Sequence, residues 1–437
     1  MATLIPPSPS DEKPSFELNP QHGHKDLVLA VAFNTYGDRC ATGSVDGKIR
    51  VFNRHKDGTW RHCDTWSAHG GEVLELQWLP ATIYPNVIAS LGIEGWFRLW
   101  AEDPSAAPGR RFNSSRSLPG RPAFDTRSSR SPYRSFSMKH DPNWGTYLAL
   151  LSTEGRLTVY QTESPEALGE YASIDEFSVC KKPSRGEEVS FRVRFDPGEE
   201  PCYSALRAGV GNDSLGLIVA AMGTVKLYRS RDVVTASFGS SQTQKEFYLA
   251  VEITGHRGLV RDVAWAPGNI RGYDIIATAC QDGYARVYRI DTPYSDSDGK
   301  NWSVSSLIKS DTQPSISKDY PSVHHSKNNS TGGDQTSVAS TPQQVPSSTL
   351  SASLAKSGAT GDRQWAGQPG QVKHTAREIS RLDNDRKPVW RVGFDDDGQI
   401  LGTTGDDGKL MCYRQLPDGS WAQSSELAIV KAPMVAP

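Results

Sequence analysis

The chain has 437 residues, with 48 Lys and Arg against 50 Asp and Glu, a net charge of −2 and a pI near 6.6. That balance argues against a protein built chiefly to hold nucleic acid, which carries a dominant basic field. No window approaches the roughly 18 consecutive apolar residues of a membrane helix, the start Met1-Ala2-Thr3-Leu4-Ile5 lacks the basic end and apolar core of a secretory leader, and the six cysteines include no Cys-x-x-Cys pair. The expectation is a soluble cytosolic or nuclear protein with buried, reduced thiols and no bound metal or other cofactor.

Residues 1–20 read as a tail, with Ser15-Phe16-Glu17-Leu18 as a short candidate strand. A first cycle then runs from His24 through an alternating stretch, Leu27 to Phe33, a turn at Tyr36-Gly37-Asp38, small residues from Cys40 to Ser44, an acidic turn at Asp46-Gly47 and a strand ending in Phe52. Five further copies of the last step follow: Gly95 to Trp100, Gly155 to Tyr160, Gly223 to Tyr228, Gly283 to Tyr288 and Gly408 to Tyr413. Glu94, Glu154, Asp282 and Asp407 occupy the acidic position, and Met222 replaces the acid in the fourth copy. His69 and His256 open the second and fifth cycles as His24 opens the first, whereas the third and fourth cycles lack this turn and are predicted to begin with strands near 133–138 and 189–195.

A recurrence of this length is the signature of a β-propeller, each copy being the third strand of a four-stranded blade. The glycine-to-glycine interval before the last copy is about twice the others, long enough for a seventh blade. Its composition excludes one: residues 291–378 are dominated by Ser, Thr, Gly, Pro, Asn and Gln, and bury too little apolar surface to offset their ordering entropy. The fold expected is therefore all-β, a six-bladed WD-repeat propeller. Blades one to five span 21–290, with an Arg-rich loop at 105–132. A disordered insertion covers 291–378, blade six and its closing strand 379–431, and a tail 432–437.

The histidines and the acids about twenty residues onward invite a metal or acid/base reading. In a WD repeat the same pair braces the blade by hydrogen bonding, and His24, Asp46, His69, Glu94, His256, Asp282 and Asp407 are assigned that structural role. No nucleophile elbow, phosphate loop or His-Glu-x-x-His helix is present, so the chain reads as non-enzymatic. Arg110, Arg111, Arg116, Arg121, Arg127, Arg130 and Arg134 form a basic run that could meet RNA, an anionic membrane surface or an acidic partner, with Phe112, Phe124 and Tyr133 available for stacking; the simpler reading is a solvated loop. Ser8-Pro9 and Thr341-Pro342 fit proline-directed kinases.

His24-Lys25-Asp26-Leu27, Val31-Ala32-Phe33, Gly37 to Ser44, Val389-Trp390-Arg391-Val392 and Gly405-Asp406-Asp407-Gly408 closely resemble the Seh-type nucleoporins, sisters of the six-bladed propeller of the COPII outer coat. The resemblance implies a scaffold subunit of the Y-shaped complex of the nuclear pore, located at the nuclear envelope. It further implies an open ring completed in trans by a blade from an α-helical scaffold nucleoporin, with a possible second membership in a vacuolar coat-like complex that regulates TOR signalling. The text from Gly419 to Val430 supplies an outer strand for blade six from the C-terminus, so no N-terminal strand is needed to zip the ring. An unzipped ring leaves an edge open to strand addition, with Leu27, Leu29, Val31, Trp390 and Val392 the expected docking residues. Two alternatives stand beside this reading: a substrate adaptor of a ubiquitin ligase, and an RNA-associated WD protein working through the Arg-rich loop.

Overall fold

Six four-stranded antiparallel sheets follow one another along the chain. The structure, a computed structural model, describes residues 22–107, 109–112, 121–164, 168–237, 240–268, 272–293, 363 and 367–428. Blade one is β1 (Val28–Phe33), β2 (Arg39–Ser44), β3 (Lys48–Arg54) and β4 (Trp60–Ser67), and blade two is β5 (Val73–Trp78), β6 (Val87–Gly92), β7 (Trp96–Ala101) and β8 (Phe124–Arg127). Blade three is β9 (Tyr133–Asp141), β10 (Gly145–Ser152), β11 (Arg156–Thr162) and β12 (Ala172–Ser178). Blade four is β13 (Phe191–Phe195), β14 (Gly216–Ala221), β15 (Thr224–Ser237) and β16 (Ser240–Ile253), with one short helix, α1 (Tyr203–Arg207), between its first two strands. Blade five is β17 (Val260–Trp265), β18 (Asp274–Cys280), β19 (Tyr284–Asp291) and β20 (Thr375–Asp383), and blade six is β21 (Val389–Phe394), β22 (Ile400–Gly405), β23 (Lys409–Gln415) and β24 (Trp421–Ala428).

The degenerate third and fourth cycles thus start at β9 and β13, where the sequence puts them. The tight turn before the third strand of blade one needs glycine for two reasons, its left-handed backbone and the close approach of the next blade. At Gly47 φ is +75°, and a Cβ would lie 2.5 Å from the His69 carbonyl oxygen; any other residue would pay strain and a backbone clash together.

Two boundaries differ from the sequence reading. The insertion interrupts blade five rather than preceding blade six, because Thr375–Asp383 pairs along β19 from Tyr284↔Asp383 to Asp291↔Thr375. Its returning limb is also built: Val372 packs with Cys202, Ala205, Ala208 and Val210 around α1, and His374 is fully buried. Composition averaged over the insertion hid this limb, whose text is itself polar apart from Val372. The Arg-rich loop likewise contains β8, the outer strand of blade two. Phe112 stacks on Trp66 at 4.8 Å in the core, Tyr133 is buried, and Phe124 packs on Tyr171, so none of the three aromatics is presented for base stacking. Ser15–Leu18, Arg116, Ser8-Pro9 and Thr341-Pro342 lie outside the described residues. Of the six cysteines, Cys40, Cys202 and Cys280 are buried and the other three half-buried.

Apolar side chains fill the spaces between consecutive blades. Separate buried clusters join blades one and two around Trp66 and Trp100, two and three around Phe97 and Phe136, three and four around Phe177 and Phe191, four and five around Leu227 and Trp265, and five and six around Val287 and Leu401. Among the described residues no such cluster joins blade six to blade one. That junction shapes the site.

Candidate partner-docking site

A strand in the middle of a blade is covered on both faces when a blade lies on either side, and then every residue along it is buried. β6, β10, β14 and β18 behave this way throughout. β22, their counterpart in blade six, alternates: Leu401 and Thr403 are buried against blade five, while Ile400, Gly402 and Thr404 are only half-buried. On the opposite side, Val31 is 55% exposed and Phe33 56%. One face of blade six and one edge of blade one therefore lack the neighbour that every other blade has.

Between them lies a cavity of about 640 Å³, bounded by Leu29, Val31 and Phe33 on blade one and by Val392, Phe394, Ile400 and Leu410 on blade six. The Arg391 guanidinium crosses it to donate to the Leu29 carbonyl at 3.2 Å. Deeper, toward the axis, Arg192 pairs with Glu75, Arg194 with Glu75 at 3.4 Å, and both arginines lie 3.7 Å from Asp262, whose carboxylate accepts from the Val392 amide at 3.4 Å. These groups come from blades two, four, five and six. Burial pushes the Asp262 carboxyl above its ordinary range, against the pull of Arg194 and Arg192. The network stitches the ring across its channel where the rim is open.

The geometry divides the five expected docking residues. Leu29, Val31 and Val392 line the cavity. Leu27 is 70% exposed just ahead of β1 and does not line it. Trp390 lies over the Arg261 guanidinium at 4.6 Å and donates to Asp406 at 2.5 Å, facing blade five. The cause is a bulge in each inner strand, between Val28 and Ala30 in β1 and between Val389 and Arg391 in β21, which breaks the simple two-residue alternation. Phe33, Arg391, Ile400 and Leu410 were not singled out by the sequence; continuing the alternation from Leu29 through Val31 would have reached Phe33.

The blade-bracing residues differ from blade to blade. In blade two the chain of donors is fixed by its ends: Trp100 Nε1 donates to Ser90 Oγ at 2.9 Å, the Ser90 hydroxyl to His69 Nε2 at 2.8 Å, and His69 Nδ1 to Glu94 at 2.8 Å. In blade one His24 bridges Asp46 at 3.2 Å and Thr42 at 2.9 Å. Burial lowers the pKa of both histidines despite their acids. In blade five His256 bonds Thr278 at 3.0 Å, but Asp282 turns to Arg286, at 2.7 Å, and to the amides of Arg257 and Tyr284. Burial, with Arg286 nearby, pushes His256 down to about 4. Asp407 caps its turn through the Lys409 amide at 3.2 Å.

The model for the WD domain, G-beta repeat, matches residues 15–53 and 248–289, the cycles in which His24 and His256 stand. Nucleoporin SEH1 of Chaetomium thermophilum is 49% identical over the whole of this chain and 99% of its own length. The chain belongs to the SEH1 nucleoporin family. Nucleoporin SEH1 of Saccharomyces cerevisiae is 26% identical over 90% of this chain and 93% of its own, and nucleoporin seh1 of Schizosaccharomyces pombe 25% over 62% and 71%. In this SEH1-type propeller, then, the ring has six blades and a break in its apolar packing between the last and the first.

Proposed function

We propose that this SEH1-family nucleoporin is a non-catalytic scaffold subunit of the Y-shaped coat of the nuclear pore, and that an α-helical scaffold nucleoporin completes its ring by inserting strands between blades six and one. The observation that carries the reading is the missing apolar cluster at that junction, where five equivalent junctions are filled. Covering a large apolar side chain stabilises by roughly 1.5 to 3 kcal/mol, so a partner seated over the exposed Val31 and Phe33 and the half-buried Leu410 gains affinity from surface the chain leaves uncovered. Backbone pairing along β1 would set its register. The Arg391 bond and the axial ion network keep the gap in shape before the partner arrives, which limits the ordering cost of binding.

The same edge would serve a vacuolar TOR-regulating coat. Purification of the protein at its native level, read by mass spectrometry, tests the assignment. Recovery of helical nucleoporins of the pore coat supports it. Recovery of ubiquitin-ligase subunits or of RNA-dependent partners in their place refutes it.

A further inference from the structure

On the rim, along the outer strands of blades two, three and four, a groove of about 870 Å³ holds one side chain from far along the sequence. Arg363 places its two terminal nitrogens on the two carboxylate oxygens of Asp175, each at 2.7 Å, donates to the Phe247 carbonyl and lies 4.6 Å from the centre of the Phe177 ring. A planar fork paired with a carboxylate and stacked on an aromatic face is arginine recognition that lysine cannot reproduce. Asp175 is held for the purpose: it sits on β12 with its side chain 8% exposed, and takes the amides of Phe247 at 2.7 Å and Glu176 at 2.8 Å. Neighbouring acids have other cations, Glu176 with Arg156 and Glu246 with Arg231. Burial pushes the Asp175 carboxyl up, and Arg363 is the first group pulling it back.

We infer that this groove is a guanidinium-recognition site, occupied in cis by Arg363, and that it accepts an arginine side chain supplied on another molecule once Arg363 is gone. The contact clips the returning limb of the insertion to the propeller. Further along the chain, at blade four, Arg231 donates to the Pro369 carbonyl at 2.5 Å and the Val372 amide donates to Tyr248 at 3.1 Å, ahead of β20. Blades follow in chain order, so the clip lies across the ring from the open junction and draws the limb away from it.

The test uses the full chain as wild type, Arg363→Ala, Arg363→Lys and Arg363→Ala/Asp175→Asn, with argininamide as probe and lysinamide as charge control. Freed of its clip, the limb in Arg363→Ala should be cut by trypsin after Lys373 about tenfold faster than in wild type, since cleavage follows local opening. Argininamide should raise the Tm of Arg363→Ala saturably, lysinamide should not, and neither wild type nor the double variant should respond; Arg363→Lys should be cut as Arg363→Ala is. An argininamide response of equal size in Arg363→Ala and in the double variant overturns the site.

Discussion

Arg391 donates to the Leu29 carbonyl at 3.2 Å, a direct hydrogen bond from blade six to blade one across a junction where the described residues form no apolar cluster. Its replacement by Met keeps the stem and removes the donor. A hydrogen bond to a charged group is worth about 1.5 to 3 kcal/mol, and this loss should fall locally. Hydrogen exchange in β1 and β21 is expected to accelerate while β10 and β14 stay protected; uniform exchange across all six blades would show that the junction is not a separate weak point.

Deletion of residues 300–360 should leave the Tm within a few degrees of wild type, because loop-closure cost changes by only about 0.6 kcal/mol per doubling of length. Extending the same deletion to 374 removes Val372, 4% exposed, and His374, fully buried. Thermal melts of the two proteins should differ clearly, with the longer deletion the less stable.

The turn acids are not equivalent. Asp282→Ala removes the nearer of two acids beside the Arg286 guanidinium, whose side chain is 3% exposed, and leaves it only Glu378 at 3.8 Å; breaking a hydrogen bond to a buried charge costs about 1.5 to 3 kcal/mol. Asp407→Ala loses a turn cap, worth about 1 kcal/mol. Urea unfolding of the two variants should separate them by that difference, with Asp282→Ala the more damaged.

The blade count was legible because it rests on local repetition, glycine, acid and aromatic at fixed offsets; the degenerate starts at β9 and β13 and the outer strand β24 followed as strand-like text in the places that this repetition leaves for them. The outer strands β8 and β20 were not legible. They carry no turn signature and sit inside text whose composition is polar, and only pairing with β7 and β19 defines them. At the docking edge, Leu29, Val31 and Val392 followed from alternation, whereas the bulge at Trp390 turned that residue toward Arg261. Arg363 had no sequence signal, since its partner Asp175 lies 188 residues away.

Stability should fall as the medium is acidified from about 6.5 toward 4. His24, His69 and His256 have pKa values lowered in the fold, His256 to about 4. The unfolded chain therefore takes up protons first, and the stability present above pH 6.5 is lost through that window. His256→Gln should flatten part of the decline measured by chemical denaturation between pH 7 and 4.5. Asp282 titrates lower: burial works against it, but Arg286 and the Arg257 amide hold it at about 2, so its contribution is lost only below the histidine window.

The affinity of the proposed partner, a helical scaffold nucleoporin, for Val31→Glu, measured by calorimetry beside wild type, tests the central claim most directly. Val31 is 55% exposed and lines the junction cavity, so the substitution spares the blade's own core. The account predicts at least a tenfold loss, about 1.4 kcal/mol, with unchanged circular dichroism and no loss for Ile93→Glu, an exposed residue of blade two. A folded Val31→Glu protein that binds with wild-type affinity would contradict it.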